Sequence, residues 1–144
     1  MRNIFILMFF IFFTSLCSGQ VLKKIRLDYL HGLTMEIDGA GEFFTYDSVP
    51  LDMTHLLMNT NLSYGAMIIN SKLIQFKLIS KRQMPNAKRI DVFKGGMYKL
   101  IITSERKVIE HQKFISEGIM EIIAGNLKRI IKIRSEGTDP WMPN

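Results

Sequence analysis

Residues 97–115 read MYKLIITSERKVIEHQKFI, and their apolar side chains recur at every second position. Successive side chains of a β-strand point to opposite faces, so Tyr98, Leu100 and Ile102 would share one face of a strand. The polar run Ser104–Arg106 would lie near the turn of a hairpin. We therefore predict two antiparallel strands here, and the same alternation extends to both sides of this stretch.

Residues 65–80, GAMIINSKLIQFKLIS, predict another hairpin, with its turn at Asn70-Ser71. The side chains expected to point inward from its second strand are Ile74, Phe76 and Leu78. A basic loop, KRQMPNAKR, a short strand, IDVF, and a turn in which Gly95 or Gly96 adopts positive φ would connect the two hairpins.

The alternation also predicts strands at 21–29 and 33–37. Residues 41–47, GEFFTYD, are apolar on both faces, which predicts an inner strand or one that carries an exposed aromatic residue. Residues 48–63 interrupt it with a proline and several polar residues, which are typical of a turn or a helix start. We predict a loop there, with one short helical turn at 56–58.

Residues 116–135, SEGIMEIIAGNLKRIIKIRS, fit two structures. A basic amphipathic helix would suit a membrane surface. A hairpin of 118–123 and 127–134 agrees better with the abundant isoleucine and with the turn signal Gly125-Asn126. We favour the hairpin. Its second strand would point Ile131 and Ile133 inward and three basic side chains outward, namely Lys128, Lys132 and Arg134.

Eight to ten short strands with little helix predict an all-β fold, and we expect a single antiparallel β-sandwich, immunoglobulin-like or related. The domain would span residues 20–136. A signal peptide at 1–19 would precede it, and a loose tail at 137–144 would follow.

The signal peptide is inferred from MRNIFILMFFIFFTSLCSGQ, in which Arg2 precedes an apolar run shorter than a membrane-spanning helix needs. Cleavage after Gly19 would leave Gln20 as the new N-terminus. Two alternatives remain open: an uncleaved membrane anchor, and a lipoprotein acylated at Cys17. For a cleaved chain, membrane association would require lipidation at Cys17. Loss of the single cysteine would leave no disulfide, which favours a bacterial protein of the periplasm or the extracellular space.

The charges are unevenly distributed along the chain. Residues 27–71 hold six acids and no lysine or arginine, whereas residues 72–113 hold eleven basic residues and three acids. A basic region attracts anionic partners. We predict a contact surface around the loop at Met84-Pro85, formed by the basic group Lys77, Lys81, Arg82, Lys88 and Arg89.

No phosphate-binding loop, dinucleotide-binding glycine motif, metalloprotease helix motif or nucleophile elbow is present. His31, His55 and His111 share no metal-ligand spacing, and the acids Glu36 and Asp38 fit a solvated strand better than a catalytic pair. We therefore expect no catalytic residue, metal site or cofactor, and no nucleic-acid binding.

The expected function is an exported, non-enzymatic binding module of the bacterial cell envelope or surface. Its partner would be another envelope or extracellular protein, or an anionic surface polymer. Two alternatives are an inhibitor or immunity-type protein that blocks an envelope enzyme through the loop KRQMPNAKR, and a hydrolase of envelope polymers. The hydrolase would require a pocket with paired carboxylates, or with a histidine beside an acid.

Overall fold

The structure, a computed structural model, describes residues 23–30, 40–51, 55–60 and 63–141, with the backbone alone for 58–60. The described part contains nine β-strands. They are β1 (Leu27–Asp28), β2 (Gly41–Tyr46), β3 (Leu57–Thr60), β4 (Tyr64–Ile69), β5 (Lys72–Gln83), β6 (Lys88–Gly95), β7 (Tyr98–Glu110), β8 (Lys113–Ala124) and β9 (Leu127–Thr138).

All nine strands belong to one curled antiparallel sheet. From β2 to β9 each strand pairs with the next along the chain, and β9 pairs with β2, so the pairing returns to its starting strand. The short β1 pairs with the end of β4. The predicted all-β antiparallel class is confirmed. The sandwich is not, because every pairing among the described strands lies in a single sheet rather than in two.

The core fills the concave side of the sheet. Alternate residues of β7, β8 and β9 point inward there, and they join one cluster with Phe44, Phe76 and Phe93. The inward residues of the three long strands in this cluster are Tyr98, Leu100, Ile102, Met120, Ile122, Ala124, Ile131 and Ile133. Burial of this apolar surface is the main favourable contribution to folding.

Three of the predicted turns are confirmed. Asn70 and Ser71 have φ of 51° and 63°, the two positive values of a type I′ hairpin turn. Gly96, at φ 55°, turns β6 into β7, and Gly125, at φ 57°, turns β8 into β9. The hairpin interpretation of 116–135 is therefore correct, and its inward and outward residues are as predicted.

Other predictions were wrong. Ser104–Arg106 lies within β7, and the turn that follows is at His111 and Gln112, because the alternation of β7 continues to Glu110. The helical turn at 56–58 is absent, since Leu57 begins β3, and the basic loop is mostly strand around a turn at 84–87. β9 extends to Thr138, two residues past the boundary drawn at 136.

Several predictions concern residues outside the described part of the chain. They are the signal peptide at 1–19 with Cys17, the strand at 33–37, the acids Glu36 and Asp38, His31, and the last residues of the tail, 142–144. Of the strand predicted at 21–29, the described residues place β1 at Leu27–Asp28.

Candidate binding face and the charges behind it

The convex side of β5, β6 and β7 carries a group of exposed basic side chains that we call the basic face. Three of its members, Lys77, Lys94 and Lys99, each directly follow a buried aromatic residue, as expected for outward positions of a strand. The basic face consists of Lys77 and Arg82 of β5, Lys88 and Lys94 of β6, and Lys99 and Lys107 of β7. Among the described residues, none of these six side chains forms a salt bridge.

Three of these lysines lie side by side across neighbouring strands. Lys77 of β5 is directly opposite Lys94 of β6, and Lys94 is directly opposite Lys99 of β7. We call Lys77, Lys94 and Lys99 the lysine row. Like charges in directly opposed positions destabilise a sheet, because their side chains lie close together. The row therefore opposes folding, and its three charges are available to an external anion.

The neighbouring strands β8 and β9 are arranged differently. Their outward positions carry charges of both signs, and Glu117 lies opposite Arg134. Lys128 forms a salt bridge with Glu121 across the same pair of strands. Acidic and basic charges therefore largely balance on these two strands. The outward positions of β5, β6 and β7 carry two acids against the six members of the basic face, namely Glu105, opposite Lys88, and Glu110, which pairs with Lys113 of β8.

The basic face stays positive partly because the acid of β6 points inward. Asp91 is 4% exposed, and its Oδ2 lies 2.7 Å from Nε of Arg89, which also points inward. Nη2 of Arg89 donates a hydrogen bond of 2.6 Å to Oε2 of the fully buried Glu42 on β2. Glu42, Arg89 and Asp91 form a buried charge cluster that crosses the inside of the curled sheet.

Hydroxyl groups complete the surroundings of Glu42. Ser135 and Ser116 donate hydrogen bonds of 2.7 Å and 3.1 Å to its Oε1, from β9 and β8 respectively. A buried carboxylate needs such donors, because burial without them costs several kcal/mol. The cluster therefore connects β2, β6, β8 and β9 at one end of the sheet.

A second arginine extends this cluster toward solvent. Nη1 of Arg106 lies 3.3 Å from Oδ2 of Asp139, and its guanidinium carbon is 3.5 Å from the ring centre of Phe114. Its Nη2 is 3.9 Å from Oε2 of Glu42. Asp139, which follows β9, is thereby held to β7, and its amide also donates to the carbonyl oxygen of Gln112 at 2.8 Å.

Burial and mutual charge shift the pKa values of this group. Burial raises the pKa of Asp91, although the charge of Arg89 opposes the rise. Burial lowers the pKa of Arg106, and the neighbouring charge of Arg89 lowers it further. Burial alone would lower the pKa of Arg89, but Glu42 and Asp91 reverse the effect and raise it. Both arginines remain charged at neutral pH, since the ordinary arginine pKa is above 12.

The structure separates the predicted contact residues into two sets. Lys77, Lys81, Arg82 and Lys88 are exposed on β5 and β6. Arg89 is 3% exposed and holds two buried carboxylates, so its assignment to the surface was wrong. The alternation of β6 explains the error. Arg89 lies four positions before the inward Phe93 on the same strand, so both side chains point to the same face of the sheet.

Sequence reasoning also missed Lys94 and Lys99. A two-residue turn at Gly96 and Met97 places Gly95 opposite Tyr98 and therefore Lys94 opposite Lys99. The two-residue turn, and with it the opposition of Lys94 and Lys99, could be recognised from the sequence. The opposition of Lys77 and Lys94 could not, because the β5–β6 register shifts at an irregularity between Leu78 and Ser80.

A pocket of about 520 Å³ lies at the end of the sheet near the buried charge cluster. Phe43, Ile109 and Phe114 provide apolar walls, and Lys113 and Glu136 are its charged residues. Among the described residues its lining contains one carboxylate and no histidine.

In the described ranges, no group of three or more histidine, cysteine, aspartate or glutamate residues is arranged to hold a metal ion. The same residues include no helix of the length and hydrophobicity needed to cross a bilayer. Comparison of the chain with family models, with curated proteins and with solved structures finds no match.

Proposed function

We propose that this chain is an exported, non-enzymatic binding module of the bacterial cell envelope or surface, and that its basic face contacts an anionic partner. The lysine row is the observation that carries the proposal. Three like charges in opposed positions destabilise the sheet, and no described acid neutralises them. Natural proteins retain such local conflicts chiefly at functional sites.

The charge balance of the two halves of the surface supports the same proposal. An anionic partner would be drawn to β5, β6 and β7, whereas the mixed acidic and basic charges of β8 and β9 provide no comparable attraction. The partner is either an acidic envelope or extracellular protein, or an anionic surface polymer. Binding of this kind weakens as salt is added, because exposed charges are screened.

A matched pair of charge reversals tests the proposal. The double variant Arg82→Glu/Lys88→Glu changes the basic face, and Lys24→Glu/Lys132→Glu makes the same change in net charge at exposed positions elsewhere. Cosedimentation with isolated envelopes at low salt should be lost in the first variant and retained in the second. Equal binding of wild type and both variants would show that the basic face does not contact the partner.

A second function, inhibition of an enzyme in the same compartment, is favoured by the turn between β5 and β6. Residues 84–87 are all exposed at its tip, and Asn86 and Ala87 have φ of 66° and 59°. A tight exposed turn suits insertion into an enzyme cleft. Stoichiometric copurification of an enzyme with wild type, abolished when residues 84–87 are replaced by Asn-Gly, would support this function over the first.

A further inference from the structure

We propose that the lysine row is a subsite for consecutive carboxylates of a linear acidic polysaccharide that lies across the strands. This inference rests on the proposed function, because it specifies what the basic face binds. It concerns the end of the basic face near the turn at Gly96 and Met97 and does not involve Arg82 or Lys88.

The arrangement of charges sets the direction of the ligand. Along β6, the outward positions between Lys88 and Lys94 are the apolar Ile90 and Val92, so positive charge is interrupted along the strand. Across the strands, Lys77, Lys94 and Lys99 follow one another without interruption. Neighbouring strands are about 4.8 Å apart. An extended chain of pyranose rings advances by a similar distance per sugar, and its successive carboxylates point to different sides of the chain. The long, flexible side chains of the three exposed lysines can reach them from beside and below such a chain.

An aromatic residue continues the row on its β4 side. Tyr64 lies directly opposite Lys77, and its side chain is 53% exposed. A tyrosine ring offers a flat apolar face to the C–H groups of a sugar, while its neighbours in the row offer charge. Across four neighbouring strands the side chains follow in the order Tyr64, Lys77, Lys94 and Lys99. This arrangement combines the two kinds of contact that an acidic sugar chain makes.

The same composition argues against single-stranded nucleic acid. Proteins that bind it stack successive bases on several aromatic side chains. Among the described outward positions of β4 to β7, Tyr64 is the one aromatic residue.

Titration of purified protein with oligogalacturonates of one to eight sugars tests the subsite. Affinity should rise with length until about four sugars span the row, and then increase little. Lys94→Gln, at the centre of the row, should weaken binding of the tetramer about tenfold, the loss of one charge-assisted contact. Lys94→Arg should preserve most of the affinity, and Lys132→Gln, on the outer face of β9, should change it less than twofold.

The outcomes separate this inference from the proposed function. Loss of envelope binding in Arg82→Glu/Lys88→Glu, combined with unchanged oligogalacturonate affinity in Lys94→Gln, would overturn the subsite and keep the binding module. No binding of any oligogalacturonate would also overturn the subsite. Equal or tighter binding of a single-stranded oligonucleotide of matched charge would overturn the ligand class. Since Lys94→Gln removes a repulsion, loss of folding is not expected to obscure these results.

Discussion

Lys77 and Lys94 lie directly opposite each other on β5 and β6, with both side chains exposed on the outer face of the sheet. Lys99 continues the arrangement on β7. Directly opposed like charges destabilise a sheet, whereas opposed unlike charges stabilise it. The chain therefore folds against a repulsion that a neutral residue at any of the three positions would relieve.

We expect Lys94→Gln to raise the free energy of unfolding by about 0.2–1 kcal/mol at low ionic strength. The gain should shrink in about 1 M salt, because screening already weakens the repulsion in wild type. Urea denaturation at both ionic strengths measures the difference. Lys132→Gln, opposite Ile119 on β8, is the matched control and should have no comparable gain. A destabilised Lys94→Gln would contradict this account of the lysine row.

The fold was predictable from sequence where local pattern determined it. The alternation in β7 identified its inward residues Tyr98, Leu100 and Ile102, although not its turn. The turn residues Asn70-Ser71 and Gly125 identified two hairpins correctly. The closure of the sheet was not predictable, since the pairing of β2 with β9 joins segments about ninety positions apart, such as Phe44 and Ser135. No local pattern distinguishes such a pairing from the two separate sheets of a sandwich.

The site was predictable only in part, for a related reason. Exposure of Lys77 and Lys88 followed from composition, but the direction of Arg89 depended on where β6 begins. Residues 81–89 were interpreted as a loop, so the alternation of inward and outward side chains in β6 was not applied to Arg89. The partner of Arg89, Glu42, lies in the acidic part of the chain, and the curled sheet alone brings the two together.

Glu42→Ala should reduce the free energy of unfolding by about 3–5 kcal/mol, because it leaves the buried Arg89 without its hydrogen-bonded partner. It also removes the acceptor for Ser116 and Ser135. Chemical denaturation measures the loss. Glu110→Ala is the control, since the pair Glu110–Lys113 is exposed and surface substitutions usually change stability by less than about 0.5 kcal/mol. Similar losses in the two variants would show that the buried charge cluster does not stabilise the fold.

Asp91 should make stability depend on pH in a defined direction. Burial raises its pKa in the folded protein above the value of about 3.9 found in unfolded chains. Between these two values the folded state binds more protons than the unfolded state, so this residue lowers stability as pH rises through the window. One of its oxygens, Oδ1, has no hydrogen-bond partner among the described residues, which is consistent with a disfavoured charge.

The comparison with Asp91→Asn isolates this effect. The unfolding free energy of wild type minus that of Asp91→Asn should decrease as pH rises from below 4 toward neutrality, since only wild type carries the unfavourable carboxylate charge. Denaturation at several pH values gives this difference. A difference that increases with pH would mean that Arg89 stabilises the charged form of Asp91 more than burial destabilises it.

Two adjacent glycines should respond differently to alanine. A Cβ at Gly95 would lie 2.2 Å from the carbonyl oxygen of Gln75, so Gly95→Ala must separate β6 from β5 and should cost about 1–3 kcal/mol or more. Gly96 has φ of 55° and open space around it, so Gly96→Ala should cost only about 1 kcal/mol of backbone strain. Thermal denaturation of both variants tests the order, and a reversed order would contradict the close approach of β6 to β5.

The proposed export predicts the mass of the protein isolated from its native host. Cleavage after Gly19 requires small residues before the cut, so the intact mass should begin at Gln20, and Gly19→Leu should block processing. Cys17→Ala distinguishes the lipoprotein alternative, because alanine at this position still permits cleavage after Gly19 but cannot be acylated. If Cys17→Ala leaves both the mass and the soluble fraction unchanged, the protein is released and its anionic partner should be sought in the periplasm or medium. If wild type instead begins at an acylated Cys17 and the variant leaves the membrane fraction, the basic face acts beside a membrane.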